Sequence, residues 1–349
     1  MEDVKRLLEE SRKLFRGEVY GYKVQGELVV FGPISSAGEL PLGFKSATNP
    51  GFYRLERGVG LAHSHQSPKC FLYPPRFTLF RVREDLAIEE PNYAAGRVVL
   101  FGVKPCDLAA ISVLDGVFSA SYNPYYQERR SSVVGVIVEE CLYPGETCFC
   151  ASVEAGPLAR DSFDVAYAVA GEDLVFFKPG SENGSRLLEK LGLEEAVAED
   201  AEAYAELSKK AVEKAGLGLQ LARVQEALWN SISDVELWRK LSEKCVGCAN
   251  CNLVCPTCFC AEVVDEVGEG VAERHVVQVG CLSYTYGLVA GGHFRKELYT
   301  RYRHFVLHKF VFYPRQVGRL GCVGCGRCVV WCPAGIDIRE ALKAVCERR

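Results

Sequence analysis

The chain has 349 residues, of which 48% are hydrophobic and 25% are charged, and its formal net charge is −4. This composition is typical of a soluble protein of two or three domains, and the charge gives no general attraction to nucleic acid. No apolar run approaches the length of a membrane-spanning helix. The charged start, Met1–Arg6, is unlike a signal peptide.

The first 182 residues alternate between patterns typical of helices and of strands. The apolar residues of 3–16 recur at helical spacing, whereas residues 19–31 predict a β-hairpin around Gln25-Gly26. Further strands are predicted at 77–82, 97–103 and 132–138, with a second hairpin at 163–177. We therefore expect an α+β or α/β domain over residues 1–182, without a definite strand order. It contains no Gly-x-Gly-x-x-Gly fingerprint and no P-loop, so it is not an obvious nucleotide-binding domain.

Residues 32–76 are rich in Gly, Pro and Ser and fit no regular pattern. They contain His63, His65 and Cys70, which are three possible metal ligands. No further ligand spacing supports a metal site, so polar loop residues and a buried thiol are the better interpretation.

The strand at 97–103 leads into Lys104-Pro105-Cys106-Asp107 and then into an apolar helix at 108–118. Asp107 is suited to cap the start of that helix. Cys106 then lies at the positive end of the helix dipole, where a thiolate is favoured.

Residues 183–244 have helical patterns throughout and are predicted to bridge two domains. The segments are 199–214, 219–229 and 234–244, and Asp234 is a natural cap for the last of them.

Two cysteine runs dominate the remaining part, residues 245–349. Each run reads C-x2-C-x2-C-x3-C-P, which is the bacterial ferredoxin pattern for [4Fe–4S] clusters. In such pairs the fourth cysteine of each run ligates the other cluster. This assigns cluster 1 to Cys245, Cys248, Cys251 and Cys332, and cluster 2 to Cys322, Cys325, Cys328 and Cys255. A zinc site is a poor alternative, because zinc sites usually show paired C-x2-C knuckles.

The long insertion between the runs suits the α-helical type of two-cluster ferredoxin-like domain. It predicts a hairpin at 263–279 and a basic helix at 295–310, and a closing helix follows at 338–348. The first interpretation of His304 and His308 is that they lie, partly packed, on a solvated face of the basic helix. A second interpretation is that the cations balance the negative charge of a cluster, and a third is that they face an acidic partner.

Several cysteines lie outside the two runs. We expect a third [4Fe–4S] cluster on Cys106, Cys141, Cys148 and Cys150, which together supply four thiolates. Packing beside the clusters is the alternative, and Asp107 is an alternative oxygen ligand. The string Thr-Cys-Phe-Cys occurs at 147–150 and again at 257–260. For Cys258 and Cys260 we favour packing around a cluster, with His308 in a similar supporting place. No role follows for Cys70, Cys281 and Cys346.

Taken together, these motifs resemble one family. They are Gly102–Leu108, Cys148–Ser152 with Gly156-Pro157, Cys245–Cys260, His308-Lys309, Cys322–Pro333 and Ile336-Asp337-Ile338. The chain resembles the beta subunit of soluble [NiFe] sulfhydrogenases and the related A subunit of anaerobic sulfite reductase. The resemblance covers the chain from about residue 69 to its end.

The resemblance implies an iron–sulfur electron-transfer subunit, itself non-catalytic, of a hetero-oligomeric oxidoreductase complex. In such complexes a flavin-containing subunit meets NAD(P)H, a separate subunit holds the catalytic site, and ferredoxin is a further partner. A [NiFe] hydrogenase is the favoured complex, and sulfite reductase is the alternative. A self-contained oxidoreductase with its own flavin or deazaflavin is a rival of another class. Because cysteine-rich clusters need a reducing compartment, we expect a cytoplasmic protein.

Overall fold

The computed structural model describes residues 1–119 and 123–347. Its strands, in chain order, are β1 (Glu18–Gln25), β2 (Leu28–Pro33), β3 (Phe44–Asn49), β4 (Phe52–Arg57), β5 (Arg76–Arg83), β6 (Ile88–Glu89), β7 (Val98–Val103), β8 (Val133–Glu140), β9 (Val165–Val169), β10 (Val175–Pro179), β11 (Ala261–Val267), β12 (Val271–Gln278), β13 (Leu288–Val289) and β14 (Gly292–His293).

The helices, in chain order, are α1 (Glu2–Phe15), α2 (Lys69–Leu72), α3 (Pro105–Ser119), α4 (Pro124–Ser131), α5 (Glu182–Leu191), α6 (Ala198–Lys214), α7 (Leu221–Asn230), α8 (Val235–Ser242), α9 (Asn250–Leu253), α10 (Leu298–Leu307), α11 (Tyr313–Val317), α12 (Arg327–Val330) and α13 (Ile338–Glu347). Within the described residues, no helix is long and apolar enough to cross a membrane.

The N-terminal part is built on a six-stranded mixed sheet with the order β10-β9-β8-β7-β1-β2. Strands β1, β7, β8 and β9 run parallel, and an antiparallel strand closes each edge. Every residue of β7 is buried, as expected for a central parallel strand covered on both faces.

Helices cover both faces of this sheet. On one face, Val99 and Phe101 of β7 pack with α1 and α5. On the other, Val98 and Leu100 pack with α3 and α4. Because neighbouring side chains of a strand alternate between faces, one short strand supplies both cores. The result is a three-layer α/β arrangement.

The two predicted hairpins of this part are present as β1–β2 and β9–β10. The segment 32–76, which had no predicted structure, contains the hairpin β3–β4 and the short helix α2. Residues 183–244 contain most of α5 and all of α6, α7 and α8, and the Asp234 carboxylate accepts a hydrogen bond of 3.0 Å from the Leu237 amide at the start of α8. That this segment bridges two domains stays a prediction.

A second sheet joins the N-terminal part of the chain to the segment between the two cysteine runs. Its order is β11-β12-β5-β6, so the hairpin from the insertion between the cysteine runs pairs with β5 of the N-terminal part. Residues 245–349 thus contain the predicted hairpin as well as helices, and their ferredoxin-like arrangement stays a prediction. The boundaries at 182/183 and 244/245 stay predictions.

The basic helix differs in detail from its prediction. It starts at Leu298 rather than Arg295 and continues beyond α10 as a π-helical turn, His308–Phe312, into α11. Such turns interrupt regular helices and often occur at functional sites. The closing helix is α13, and its predicted last residue, Arg348, lies outside the described residues.

Candidate iron–sulfur centres

The first thiol set is Cys245, Cys248, Cys251 and Cys332. All four residues line one apolar cavity between the first cysteine run and the end of the second. Burial raises the pKa of the Cys251 thiol, and its neighbours in the set raise it further. The fold therefore brings these four cysteines to one cavity, and their role as the ligands of one cluster stays a prediction.

The turn of the first run depends on Gly247. Its φ of 69° lies in the left-handed region, which glycine adopts without the steric cost of a side chain. This turn brings Cys245 and Cys248 to the same cavity, with Cys248 exposed to solvent.

The second thiol set is Cys255, Cys322, Cys325 and Cys328. Burial raises the pKa of Cys322 to about 12 and that of Cys328 well above its usual value, and thiols of the same set add to both shifts. The pKa of Cys255 is instead lowered, because the Cys258 thiol donates a hydrogen bond to it and the Lys309 ammonium lies beside it. Cys328 also lines the cavity of the first set, so the two sets are neighbours.

The third thiol set is Cys106, Cys141, Cys148 and Cys150. These residues come from the first turn of α3, the loop after β8 and the first Thr-Cys-Phe-Cys string, and all four line one buried cavity. Cys325 of the second set lines the same cavity, and its carbonyl oxygen lies 3.9 Å from Cys148 Sγ. The fold therefore brings together the four cysteines predicted for a third cluster.

Close backbone packing fixes the third set against the second cysteine run. The Phe149 amide donates a hydrogen bond of 2.8 Å to the Gly324 carbonyl. A Cβ on Gly324 would lie 2.5 Å from the Cys150 nitrogen, and one on Gly326 would lie 2.4 Å from Thr147 Oγ1. Only glycine allows the two segments to approach this closely.

Two predictions about α3 are wrong. The helix begins at Pro105, which suits the first helical position, so Asp107 lies within the first turn rather than at the cap. Its carboxylate reaches back to the Lys104 amide at 3.0 Å. The predicted stabilisation of a Cys106 thiolate is also wrong. Burial raises the pKa of the Cys106 thiol well above the usual value, and Asp107 raises it further.

Two buried lysines face the second set. Lys309 lies in the π-helical turn, and its Nζ is 3.1 Å from Cys255 Sγ and 3.4 Å from Cys258 Sγ. Burial alone would lower the pKa of Lys309, but the neighbouring sulfur atoms of Cys255 and Cys258 raise it. Lys69 Nζ donates to the Cys258 carbonyl at 3.2 Å. Both ammonium groups contact sulfur, hydroxyl or carbonyl atoms rather than carboxylates, and buried charges need partners. The thiolates of a bound cluster would supply that negative charge.

Cys258 and Cys281 are linked by Asn252, whose amide nitrogen lies 3.6 Å from Cys258 Sγ and 3.3 Å from Cys281 Sγ. Cys260 is half-buried nearby. Among the thiols, Cys281 has the largest effect on the pKa of Cys251 of the first set, and it raises that pKa. These residues lie beside the thiol sets, where hydrogen bonds orient ligands.

His308 contacts Gln316 at 3.3 Å and stacks on His304, while its neighbour Lys309 is the residue that reaches a thiol. His63 is buried, lines the third cavity and lies 3.0 Å from the Cys325 carbonyl. Among residues 1–119 and 123–347, no three His, Cys, Asp or Glu side chains stand close enough to hold a single metal ion.

Sequence reasoning missed Asn252 and Arg327. The guanidinium of Arg327 lies 3.0 Å from the Asp107 carboxylate, and Arg327 lines the third cavity. Asn252 and Arg327 both lie inside or next to the cysteine runs, so their position in the sequence already holds them near the thiol sets. The sequence places Lys309 on the basic helix and in the His308-Lys309 motif, but it gives no sign that this one position turns inward.

Each thiol set offers the four sulfur ligands that a [4Fe–4S] cluster requires. Comparison with known proteins agrees with this chemistry. The family of 4Fe-4S dicluster domains matches residues 244–336. The sulfhydrogenase 2 subunit beta of Pyrococcus furiosus is 34% identical over 345 residues, which cover 95% of this chain and 93% of the relative. No solved structure matches the chain. The chain therefore belongs to the family of sulfhydrogenase beta subunits, as an iron–sulfur electron-transfer subunit with a 4Fe-4S dicluster domain.

Proposed function

We propose that this chain relays single electrons within a [NiFe] hydrogenase complex of the sulfhydrogenase type, between a flavin-containing subunit and ferredoxin or another partner. Family membership supports the type of complex. The observation that carries the relay is the contiguity of the three thiol sets. Cys328 joins the second set to the first cavity, and Cys325 joins it to the third.

In this proposal the first and second thiol sets hold the two clusters of the dicluster domain, and the third set holds another. Bound [4Fe–4S] clusters supply one-electron carriers whose potentials the protein sets. The chain itself contributes thiolates, apolar walls and the cations Lys309 and Arg327. It holds the three sets side by side in a fixed order, with the second set in the middle.

We place the first thiol set at the end of the relay that lies nearest to a partner protein. Cys248 is exposed, and the apolar side chain of Val246 beside it is 69% exposed. Such an exposed apolar residue next to a ligand fits a surface that a partner covers. The cavity of the third set is lined by the first turn of α3, by the loop around His63 and by the second cysteine run. We place the complex in the cytoplasm, because cysteine clusters of this kind need a reducing compartment.

The number of centres is tested by electron paramagnetic resonance of the anaerobically purified chain after reduction with dithionite. Integration to about three spins per chain is expected, whereas about two spins would remove the third cluster from the proposal.

The partner is tested by purifying the affinity-tagged chain without oxygen from its own cells and identifying what accompanies it. A flavoprotein and a nickel-containing subunit are the expected partners. A sirohaem protein in their place would assign the chain to a sulfite reductase instead. A flavin or deazaflavin released from the isolated chain would indicate a self-contained oxidoreductase and contradict the proposal.

A further inference from the structure

A positively charged surface borders the first thiol set. It is formed by residues 235–244, which contain α8, and by residues 295–303, which lead into α10. The two segments contain seven Lys and Arg residues and three acidic residues, in a chain whose net charge is −4. Because α8 and α10 pack against each other, the two segments form one surface, which we call the α8–α10 surface.

This surface lies beside the part of the first set that is open to solvent. Lys244 directly precedes Cys245 in the sequence. A Cβ on Gly247 would lie 3.5 Å from Leu298 Cδ1, so α10 begins against the turn of the first cysteine run. The same turn carries Cys248, the exposed thiol of the set. A protein bound to the α8–α10 surface would therefore lie next to a ligand of the first set.

Most of the cations on this surface are available to a partner. Arg301 is the exception, since it is buried and donates hydrogen bonds to three backbone carbonyls. The other six are exposed or half-buried: Arg239, Lys240, Lys244, Arg295, Lys296 and Arg303. Across residues 1–119 and 123–347, no carboxylate lies within 4.0 Å of any of these six cations. Their charge is therefore not neutralised by direct ion pairs within the chain.

Two of these cations are held close together on one aromatic ring. The guanidinium of Arg239, from α8, lies 5.2 Å from the centre of the Tyr299 ring, and that of Arg303, from α10, lies 5.9 Å from it. Arg303 is also fixed by a hydrogen bond of 2.6 Å to the Ile232 carbonyl. Like charges at this spacing repel each other, and a carboxylate supplied by another protein would offset the repulsion.

A groove that Cys248 also lines has a different charge. Its walls come from the β1–β2 turn and the β3–β4 hairpin. The acids Glu27 and Glu56 balance the cations Arg54 and Arg57 there, and Arg54 donates a hydrogen bond of 2.8 Å to Glu56. The excess of positive charge next to the first set thus belongs to the α8–α10 surface and not to the groove.

We propose that the α8–α10 surface binds a separate electron-carrier protein with an acidic surface, of the ferredoxin class, and holds it beside the first thiol set. The inference rests on the proposed relay and specifies the partner at this end of it. Complementary charges steer such a partner to its site and fix its orientation. One electron then passes between the carrier and the first cluster, so one centre is oxidised as the other is reduced, and no bond or proton is involved.

The test measures binding of an oxidised two-[4Fe–4S] ferredoxin rich in Asp and Glu to the anaerobically purified protein, by surface plasmon resonance under argon. The triple variant Lys240→Gln, Lys244→Gln, Lys296→Gln is expected to lower the association rate constant at least about tenfold at an ionic strength of about 0.01 M. At about 1 M, where the Debye length is about 3 Å, the difference should disappear. The dissociation rate constant should change less, because charges at the rim of an interface act mainly on association.

Two controls separate the position of the charges from their number and from damage to the fold. The first removes three lysines from α1 and α5, which cover the face of the sheet opposite to α3: Lys5→Gln, Lys13→Gln, Lys190→Gln. It loses the same charge and should keep the association rate. The second replaces the three lysines of the α8–α10 surface by arginine, which keeps their charge and should also keep the rate. All variants are compared at equal iron content.

Equal slowing in the two glutamine variants would overturn the inference, because net charge and not the α8–α10 surface would then control association. An association rate that does not depend on ionic strength, or no binding of the ferredoxin to the unmodified protein, would overturn it as well. Failure of the relay itself is a different result. In that case the purified protein would show no paramagnetic cluster after reduction with dithionite, whatever its binding of ferredoxin.

Discussion

The string Thr-Cys-Phe-Cys occurs twice, and the two copies have different surroundings. In the copy at 147–150, both cysteines line a cavity together with Cys106 and Cys141. In the copy at 257–260, Cys258 contacts Asn252 and Lys309, and the thiols sharing these contacts are Cys255 and Cys281. Cys255 already belongs to the second thiol set. The string therefore does not by itself specify a cluster. Whether its cysteines can join a set of four thiols depends on residues that the fold brings from distant elements.

The largest expected effect comes from removing the same cysteine from each copy. Cys150→Ala should lose the third cluster, and with it about four of about twelve irons, because a cubane needs four ligands. Cys260→Ala should keep all of the iron, since Cys260 lies in none of the three sets. Iron analysis of both variants, purified without oxygen, makes the comparison. Equal losses would mean that the two copies are equivalent.

A smaller effect is expected from the lysine behind the second copy. Lys309→Met removes the cation that contacts Cys255 and Cys258. Breaking a buried charge pair typically costs about 3–5 kcal/mol. We therefore expect iron to pass to a chelator at least about tenfold faster than from the unmodified protein, where tenfold corresponds to about 1.4 kcal/mol.

The matched control for Lys309 is Lys343→Met, on the exposed side of α13, which should leave the release rate unchanged. If both lysine variants release iron at the unmodified rate, Lys309 does not stabilise the second set.

The packing of the first copy against the second cysteine run is tested by glycine substitutions. Gly324→Ala places a Cβ 2.5 Å from the Cys150 nitrogen at a φ of 62°. Gly192→Ala has a similar φ of 58° but no atom within 4 Å. Both variants carry a backbone cost of about 1–2 kcal/mol, and overpacking adds about 1–3 kcal/mol at Gly324 alone. Apparent melting temperatures under argon should therefore fall further for Gly324→Ala. An equal fall would show that the two segments do not pack closely.

The smallest effect concerns the histidines that pack behind the second copy. His308 contacts Tyr313, which in turn contacts Phe259. Burial lowers the pKa of His304 to about 3 and that of His308 to about 4. As the pH falls below about 6.5, the unfolded chain takes up protons that the folded protein does not. The free energy of unfolding should therefore decrease between about pH 6.5 and pH 4.

The size of this decrease is at most about 1.4 kcal/mol per pH unit for each histidine, and less here because both rings partly face solvent. The double variant His304→Gln, His308→Gln should show a smaller drop in melting temperature between pH 7 and pH 5.5. His293→Gln, on the β13–β14 hairpin, is the control. An identical drop in melting temperature in the unmodified protein, the double variant and His293→Gln would show that burial of His304 and His308 does not cause the loss of stability.

The sequence predicted those features that depend on local pattern. The two cysteine runs, the hairpins β1–β2 and β11–β12, and the bridge helices follow from spacing and periodicity. The four cysteines of the third set were also grouped correctly in space, although whether they hold a cluster stays a prediction.

Features that depend on contacts between distant residues were not predictable. The pairing of β5 with β12 joins residues almost 200 positions apart. The contact of Asp107 with Arg327 is equally remote, and from local pattern alone Asp107 is a good helix cap. Lys309 is one of several basic residues on its helix, and only the tertiary fold turns it toward Cys255.

We propose that the chain holds three clusters, two on the ferredoxin-type runs and one on Cys106, Cys141, Cys148 and Cys150. The decisive measurement is the content of iron and acid-labile sulfide per chain in protein purified without oxygen. About twelve of each are expected. About eight of each would contradict the third cluster, and little iron together with bound zinc would contradict the electron-transfer function.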